Sequence, residues 1–186
     1  MKFDPSTSIH DYLVFGEFGD VNPSITDSST FTFMNPKKME DLFDHEIEGC
    51  FLYSRHWNPI NKFLSNALAR LEDTESAQVT SSGMGAISST ILDICSTGDE
   101  IISGRTIYGG TYAFFKNFLP RFGIKVTFVD LQNLKAIENA ITDKTKIIYG
   151  ESISNPLLEV TDIPSLSIIA KKNKTIDNIK RNRQEF

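Results

Sequence analysis

The sequence has few residues of the kinds that hold metals or disulfides. Of its 186 residues, two are cysteines and three are histidines. Cys50 and Cys95 lie far apart without CxxC spacing, which favours a reducing compartment and two unpaired thiols. His10, His45 and His56 have no metal-ligand spacing with one another or with the cysteines. We therefore predict a cytoplasmic protein without a structural metal.

The chain also lacks the features of secreted, membrane-spanning and nucleic-acid-binding proteins. No basic N-terminal region precedes an apolar block, so we expect no secretory signal. No apolar run is long enough to cross a bilayer. The formal net charge of −5 argues against nucleic acid as the main partner. These features predict a protein that has neither a membrane nor a nucleic acid as its partner.

Strand and helix patterns alternate along residues 77–172. With 40% hydrophobic residues, the chain can bury a substantial core. Residue periodicity predicts strands over 77–80, 101–103, 125–129 and 146–150, and helices over 37–48, 60–71, 83–95, 111–119, 133–141 and 164–172. This succession predicts an α/β fold with a mostly parallel sheet flanked by helices.

The junction between the predicted strand over 77–80 and the helix over 83–95 is typical of an anion site. Ser82, Gly83 and Met84 lie where the first helical N–H groups have no partner in the helix. The helix dipole places partial positive charge at the same point. The alternative is an ordinary helix start, capped by Ser81 or Ser82. No nucleotide-binding glycine motif is present.

Polar loops also follow other predicted strands. Ligands of parallel sheets bind beyond the carboxyl ends of the strands, and Tyr108, Glu151 and Asn155 lie in loops at such ends. Tyr53 and Arg55 lie in an earlier loop, where the arginine fork suits a phosphate. The alternative for this earlier loop is a surface arginine beside a half-buried tyrosine.

The last part of the chain departs from the strand–helix pattern. A strand is due after the helix over 164–172, but residues 173–186 are polar and basic. A solvated tail and a nucleic-acid-binding tail are alternatives, although no aromatic stacking pattern supports the second. We expect a chain that stops short of a complete fold. It would consist of an extended N-terminal arm and loop over 1–58, a partial α/β domain over 59–172 and a divergent basic tail over 173–186.

Several short motifs occur in a fixed order between residues 24 and 172. They are Tyr53-Ser54-Arg55 with Asn58-Pro59, Ser82-Gly83-Met84, Tyr108-Gly109-Gly110-Thr111, Phe122-Gly123-Ile124 before Val129-Asp130, and Glu151 with Asn155-Pro156. In order and spacing they resemble the pyridoxal-phosphate (PLP)-dependent enzymes of cysteine and methionine metabolism. That family includes methionine γ-lyase, cystathionine γ-lyase, cystathionine γ-synthase and the homoserine sulfhydrylases. The resemblance implies the type I fold of PLP-dependent transferases, here incomplete at its C-terminal end.

The resemblance implies a set of residues around the cofactor phosphate. The backbone N–H groups of Gly83 and Met84, together with Ser82, would bind it. Tyr53 and Arg55 would reach the same phosphate from a neighbouring subunit. The complete family member would therefore be a homo-oligomer, either a dimer or a tetramer.

The resemblance also implies a set of residues around the cofactor ring. Tyr108 would stack on the pyridine ring and act as an acid or base toward the leaving sulfur group. Asn155 would hydrogen-bond the phenolic oxygen of the cofactor, and Glu151 would form the adjacent wall. A flat cationic heterocycle suits an aromatic face, which agrees with this assignment.

The implied activity is that of a PLP-dependent carbon–sulfur lyase, which acts on methionine or cystathionine by γ-elimination. The alternative is γ-replacement, because methionine γ-lyases often carry a cysteine where this chain has Gly110. Neither the Schiff-base lysine nor the pyridine-binding aspartate of the family is matched, since Asp177 comes too early and follows no apolar strand. We therefore expect a truncated chain that is inactive alone. Two other classes stay open: a non-catalytic fragment that pairs with a full-length subunit, and an unrelated phosphate-binding α/β domain.

Overall fold

Two compact units make up the chain, Met1–Thr80 and Ser81–Phe186. The computed structural model describes residues 4–5, 19, 21–33, 35–44, 49–173 and 176–180, the last range by its backbone alone. The first unit contains helices α1 (Pro36–Asp44) and α2 (Pro59–Leu71). In the described part of the second unit, the helices are α3 (Gly83–Ile94), α4 (Gly109–Ala113), α5 (Leu134–Ala140) and α6 (Ile163–Lys172), and the strands are β1 (Glu100–Gly104), β2 (Lys125–Val129), β3 (Thr145–Glu151) and β4 (Ile176–Lys180).

The sheet of the second unit is parallel, as the sequence predicts. Its strand order is β2-β1-β3-β4, and each neighbouring pair is parallel. In the register between β1 and β3, Ile101 lies beside Ile147 and Ile102 beside Ile148. Because side chains alternate along a strand, each of these pairs points to a different face of the sheet. The carboxyl ends of the parallel strands lie along one edge, which positions the loops that follow them.

Each face of the sheet is covered by its own set of buried side chains. The first set, here called the mixed cluster, includes an aromatic pair and a thiol: Ile87, Ile91, Cys95, Ile101, Ile107, Phe115, Leu119, Ile124, Ile147 and Tyr149. The second set, here called the aliphatic cluster, consists of Ile102, Ile137, Ile148, Leu166, Ile169 and Ala170. The helices therefore pack on both faces of the sheet, which is the arrangement predicted for an α/β fold.

Local sequence signals explain where the longer helices begin. The Asn58 side chain accepts a hydrogen bond from the backbone N–H of Ile60 at 3.0 Å, and Pro59 occupies the first helical position of α2. Asp162 accepts in the same way from the N–H of Ser165 at 3.1 Å, at the start of α6. The predicted helices over 60–71, 83–95, 133–141 and 164–172 are confirmed within a residue or two at each end.

Two predicted elements differ from the structure. Residues 77–80 are not a strand, because no strand of the described part of the chain pairs with this short, half-polar segment. The helix predicted over 111–119 is an α-helix only over Gly109–Ala113. It continues as a π-helix over Phe114–Phe118 and as a 3₁₀ turn over Leu119–Phe122. Pro120 cannot donate a backbone hydrogen bond, which accounts for the end of regular helix there.

The prediction that no strand follows α6 is wrong over Ile176–Lys180. This segment is β4, and its backbone pairs with β3 from Ile147↔Ile176 to Glu151↔Lys180. We expected Asp177 to lie outside a strand, but it lies in β4, in register with Ile148. In this sheet β4 is an edge strand, and an edge tolerates the polar sequence that argued against a strand. Residues 174–175 and 181–186 of the predicted tail lie outside the described residues.

Some predictions for the first unit can be compared only in part. The helix predicted over 37–48 is found as α1, and residues 45–48 lie outside the described residues. The extended segment near Phe31 makes one antiparallel bridge, between Thr30 and Tyr53. Most of the predicted arm before residue 21 is not described. Among the described helices, none has the length and apolar character needed to span a membrane.

Candidate functional site

The start of α3 presents backbone N–H groups to solvent. Ser82 is extended, with φ −159° and ψ 155°, and its hydroxyl accepts a hydrogen bond from the N–H of Gly85 at 3.0 Å. This is the ordinary capping role that was the alternative for Ser82. Within the described residues, the N–H groups of Gly83 and Met84 have no hydrogen-bond acceptor. The turn is therefore capped and still has donors for an anion.

Thr111 joins the start of α3 to α4. Its hydroxyl lies 3.7 Å from the Sδ atom of Met84, to which it donates, and the side chain is fully buried. Sequence reasoning used Thr111 only as part of a motif and assigned it no role. Its place one helical turn after Tyr108 is the signal that could have identified it.

Tyr108 is held through its backbone and exposes its ring. Its N–H donates to Oε1 of Glu151 at 3.1 Å, and the Glu151 residue is only 2% exposed. The Tyr108 residue itself is 51% exposed. The ring turns back over α4, because a Cβ atom added to Gly110 would lie 2.5 Å from Cε1 of Tyr108. A buried carboxylate thus fixes the start of α4 and leaves an aromatic face available.

Asn155 lies in the loop that follows β3. It is exposed and precedes Pro156 through a cis peptide bond. The preceding residue, Ser154, is buried and is bonded to the backbone of Glu159 on the far side of the loop. The Glu159 carboxylate in turn accepts a hydrogen bond from the hydroxyl of Thr106 at 2.7 Å. The structure thereby connects the loop that carries Asn155 with the loop that leads to Tyr108.

Tyr149 places a buried hydroxyl beside these elements. The residue is 2% exposed, and among the described residues its hydroxyl has no hydrogen-bond partner. Burial raises the pKa of the Tyr149 phenol, the approach of the Thr111 hydroxyl opposes the increase, and the Glu151 carboxylate adds to it. Thr111 approaches the phenol without completing a hydrogen bond. The phenol is therefore neutral at physiological pH.

Tyr53 and Arg55 belong to the first unit and are described within it. The Arg55 guanidinium carbon lies 4.9 Å from the centre of the Tyr53 ring, in cation–π contact. Both residues are exposed and lie in a turn that leads to α2. The backbone oxygen of Tyr53 accepts from the N–H groups of His56 and Trp57 at 2.9 and 3.0 Å. The loop thus presents a paired arginine and phenol at the surface of its unit.

The candidate residues of the second unit are linked by these contacts. Thr111 links Met84 to α4, Glu151 fixes the N-terminus of α4 at Tyr108, and Glu159 links the Asn155 loop to the residues before Tyr108. Among the described residues, no cluster of His, Cys, Asp or Glu could hold a metal ion. The arrangement offers backbone N–H groups at a helix start, an exposed aromatic ring and an exposed amide side chain.

Comparison with protein families gives a match over most of the chain. The family described as "Cys/Met metabolism PLP-dependent enzyme" matches residues 8–180. A methionine gamma-lyase from Arabidopsis thaliana is 45% identical over 173 residues, which cover 90% of this chain and 39% of that protein.

Solved structures give the same picture of similarity. A cystathionine gamma-lyase from Lactobacillus plantarum, complexed with L-serine, has a TM-score of 0.82 at 32% identity. The match covers 97% of this chain and 45% of that chain. A Campylobacter jejuni protein described as an O-acetylhomoserine (thiol)-lyase, with N'-pyridoxyl-lysine-5'-monophosphate, has a TM-score of 0.88 at 29% identity, with coverages of 97% and 44%. The chain therefore spans less than half the length of these proteins.

Proposed function

The chain belongs to the Cys/Met metabolism PLP-dependent enzymes, and from this premise we propose that it supplies the non-covalent part of a pyridoxal 5'-phosphate site in a carbon–sulfur lyase. The observation that carries the proposal is that the family match includes the residues linked by the Thr111–Met84 and Tyr108–Glu151 contacts. These contacts gather a helix N-terminus, which suits the cofactor phosphate, and an aromatic ring, which suits its pyridine.

The start of α3 would bind the cofactor phosphate. The N–H groups of Gly83 and Met84 offer donors in a helix of 12 residues, whose dipole favours a dianion. Ser82 would contribute by holding this turn in place through its cap. Tyr53 and Arg55 would reach the phosphate from a neighbouring copy, so the working unit would be a homo-oligomer of two or four subunits. The exposure of this pair on the first unit supports that arrangement.

Tyr108 and Asn155 would contact the ring of the cofactor. The exposed Tyr108 ring would stack on the pyridine, and its phenol would exchange a proton with the leaving sulfur group. The Asn155 amide would donate to the phenolic oxygen. Glu151 would act on the ring indirectly, because it accepts the backbone N–H of Tyr108.

The substrate proposed is a sulfur amino acid. When bound, PLP supplies an electron sink that makes the substrate Cα–H acidic. Similarity to a methionine gamma-lyase favours γ-elimination of methionine or cystathionine, whereas similarity to an O-acetylhomoserine (thiol)-lyase favours γ-replacement. Because no lysine of the sequence matches the family's covalent anchor, we expect no turnover by these 186 residues alone. Two free thiols, Cys50 and Cys95, agree with a cytoplasmic setting.

Calorimetric titration with pyridoxine 5'-phosphate tests the proposal. This probe keeps the phosphate and ring but has no aldehyde, so it cannot label surface lysines. We expect it to bind about tenfold more tightly than pyridoxine, which lacks the phosphate, because charge-assisted hydrogen bonds at α3 are lost without it. Tyr108→Ala should weaken binding about fivefold through lost stacking. Phe43→Ala, which removes an exposed aromatic ring from α1, is the matched control and should leave the affinity unchanged.

Two outcomes would contradict the proposal. One is equal affinity for pyridoxine and its phosphate. The other is binding of a nucleotide or sugar phosphate with no response to pyridoxine 5'-phosphate, which would favour an unrelated phosphate-binding domain.

A further inference from the structure

Glu159 connects loops that follow different strands. Its Oε2 atom accepts a hydrogen bond of 2.7 Å from the hydroxyl of Thr106, which lies in the loop after β1. Its Oε1 atom lies 4.0 Å from Nη2 of Arg105, whose same nitrogen pairs with Oδ2 of Asp130 at 2.9 Å. Asp130 directly follows β2. A single carboxylate on the loop after β3 is thus linked to the loops after β1 and β2.

The backbone of Glu159 closes the loop that carries Asn155. The N–H of Ser154 donates to the Glu159 carbonyl at 2.9 Å, and the Glu159 N–H donates to the Ser154 hydroxyl at 3.0 Å. Ser154 is buried and directly precedes Asn155. Two hydrogen bonds therefore attach the backbone of Glu159 to the residue next to Asn155.

The loop is held by hydrogen bonds and by the Ile153–Val160 bridge, and its apolar side chains contribute little packing. Leu158 adopts φ 55°, the left-handed region that is unfavourable for a residue with a Cβ atom. Its side chain is 72% exposed and contributes little packing. The N–H of Leu158 donates to the carbonyl of Ser154 at 3.1 Å, within the loop itself. The far end of the loop is also held, because the Gln132 side chain donates to the carbonyl of Val160 at 2.7 Å. Glu159 supplies the attachment nearest Asn155, through Ser154.

The space between the loops is too small to be a ligand site. The cavity beside Glu151, Ser154 and Glu159 has a volume of about 10 Å³, room for one water molecule. The polar side chains here therefore serve to join the loops. The Thr106 hydrogen bond is charge-assisted and part-buried, whereas the Arg105 side chain is 56% exposed and its pairing is screened.

We infer that Glu159 is a positioning residue, which fixes the Asn155 loop relative to the Tyr108 loop through its hydrogen bond with Thr106. The inference rests on the proposed function, in which Tyr108 and Asn155 contact the same ring. Thr106 lies two residues before Tyr108 in the same loop. Its hydrogen bond to Glu159 therefore sets the distance between the Tyr108 and Asn155 side chains. Nothing in the sequence pattern marks Glu159, since it lies 53 residues from its partner.

Hydrogen exchange of the unliganded chain tests the connection directly. Glu159→Ala should raise amide exchange over 153–160 and also over 104–108, by roughly five- to tenfold, the effect of losing one hydrogen bond. Glu159→Gln should restore protection in both segments, because its amide oxygen still accepts from Thr106. Thr106→Val keeps the shape of the side chain and should reproduce the effect of Glu159→Ala. Glu138→Ala, which removes an ion-paired carboxylate on α5, is the matched control and should change neither segment.

Pyridoxine 5'-phosphate affinity gives the second measurement. Glu159→Ala and Thr106→Val should each weaken binding roughly fivefold, with Glu159→Gln close to the unaltered chain. Faster exchange over 153–160 alone, with no change over 104–108 in either variant, would overturn the inference. Failure of the unaltered chain to bind the probe would instead contradict the proposed function, and the exchange data would still decide whether Glu159 connects the loops.

Discussion

The two faces of the sheet are packed with different kinds of side chain. The aliphatic cluster has no polar side-chain atom, whereas the mixed cluster contains the Cys95 thiol and the Tyr149 phenol. Adjacent residues of β3 divide between them, because Ile148 points into the aliphatic cluster and Ile147 and Tyr149 into the mixed cluster. Strand alternation alone therefore separates two environments within one strand.

The difference follows the position of the candidate site. Thr111, which donates to Met84 at the start of α3, approaches the Tyr149 phenol on the mixed side. Burying a hydroxyl without a partner is unfavourable, so the mixed cluster gives up stability that an all-aliphatic cluster would keep. The aliphatic cluster, which includes the buried face of α6, has no such polar group. We conclude that one face mainly stabilises the sheet and the other also supports the loops.

A matched pair in β3 tests this comparison with the largest expected effect. Ile147 and Ile148 are both fully buried, and replacing either by Ala should lower the free energy of unfolding by about 3 kcal/mol, measured by urea denaturation. Ile147→Ala should also weaken pyridoxine 5'-phosphate binding, because its cluster includes Ile107 of the loop that leads to Tyr108, whereas Ile148→Ala should not. Ile168→Ala, at a position 68% exposed on α6, is the control and should change stability by less than about 0.5 kcal/mol. Equal effects of the pair on ligand binding would contradict a division of roles between the faces.

The Cys95 thiol should make stability depend on pH through the mixed cluster. Burial raises the pKa of this thiol from 9.0 to about 11, Asp99 adds to the increase and Lys146 opposes it. Since the folded pKa is the higher one, the stabilisation is fully present below pH 9 and is lost as the pH rises to about 11. The loss should reach about 2 kcal/mol, seen as a falling free energy of unfolding across that range.

The control for the pH effect is the other thiol. Cys95→Ala should flatten this part of the pH dependence, while Cys50→Ala, at a half-buried position, should keep it. Lysines and tyrosines titrate in the unaltered chain and in both variants, so their contribution cancels when the three proteins are compared. A pH dependence that is the same in all three would show that the thiol is not protected by its cluster.

Sequence patterns identified the elements of both faces but not the contacts between the loops. The run Ile147-Ile148 and the spacing of apolar residues in α2 and α6 are local signals, and the corresponding elements are confirmed. The strand β4 was missed because its polar sequence is stabilised by pairing with β3, which local patterns do not contain. For the same reason the candidate residues could be named, but not the contacts that hold them.

Two hydrogen bonds illustrate that limit. The bond from Tyr108 to Glu151 joins residues 43 positions apart, and the bond from Thr106 to Glu159 joins residues 53 positions apart. Both depend on β1 and β3 being neighbours in the sheet, an order that the succession of elements along the chain does not give. Of the two carboxylates, only Glu151 lies within a motif of the family.

Tyr149→Phe should sharpen the comparison at the polar end of the mixed cluster. The substitution removes a hydroxyl that has no partner among the described residues, and keeps the ring packed edge-on against Phe115. Since no hydrogen bond is lost, the free energy of unfolding should be unchanged or rise by up to about 1 kcal/mol in urea denaturation at pH 7. A fall in the free energy of unfolding by more than about 1 kcal/mol would mean that the Thr111 hydroxyl does form a hydrogen bond with the phenol. Thr111→Val is the companion variant: it removes the donor to Met84 and should leave the stability effect of Tyr149→Phe unchanged.

The smallest effect on stability is expected at Gly110, above the mixed cluster. A Cβ atom there would lie 2.5 Å from Cε1 of Tyr108, so Gly110→Ala should displace the exposed ring and leave the free energy of unfolding within about 0.5 kcal/mol of its starting value. Gly109→Ala is a close control, because its Cβ would meet nothing within 4 Å. We expect Gly110→Ala, but not Gly109→Ala, to change pyridoxine 5'-phosphate affinity and the near-ultraviolet circular dichroism of the bound probe. A cysteine at position 110 would meet the same ring atoms. Equal probe affinity in Gly110→Ala and Gly109→Ala would argue that residue 110 does not set the position of the Tyr108 ring.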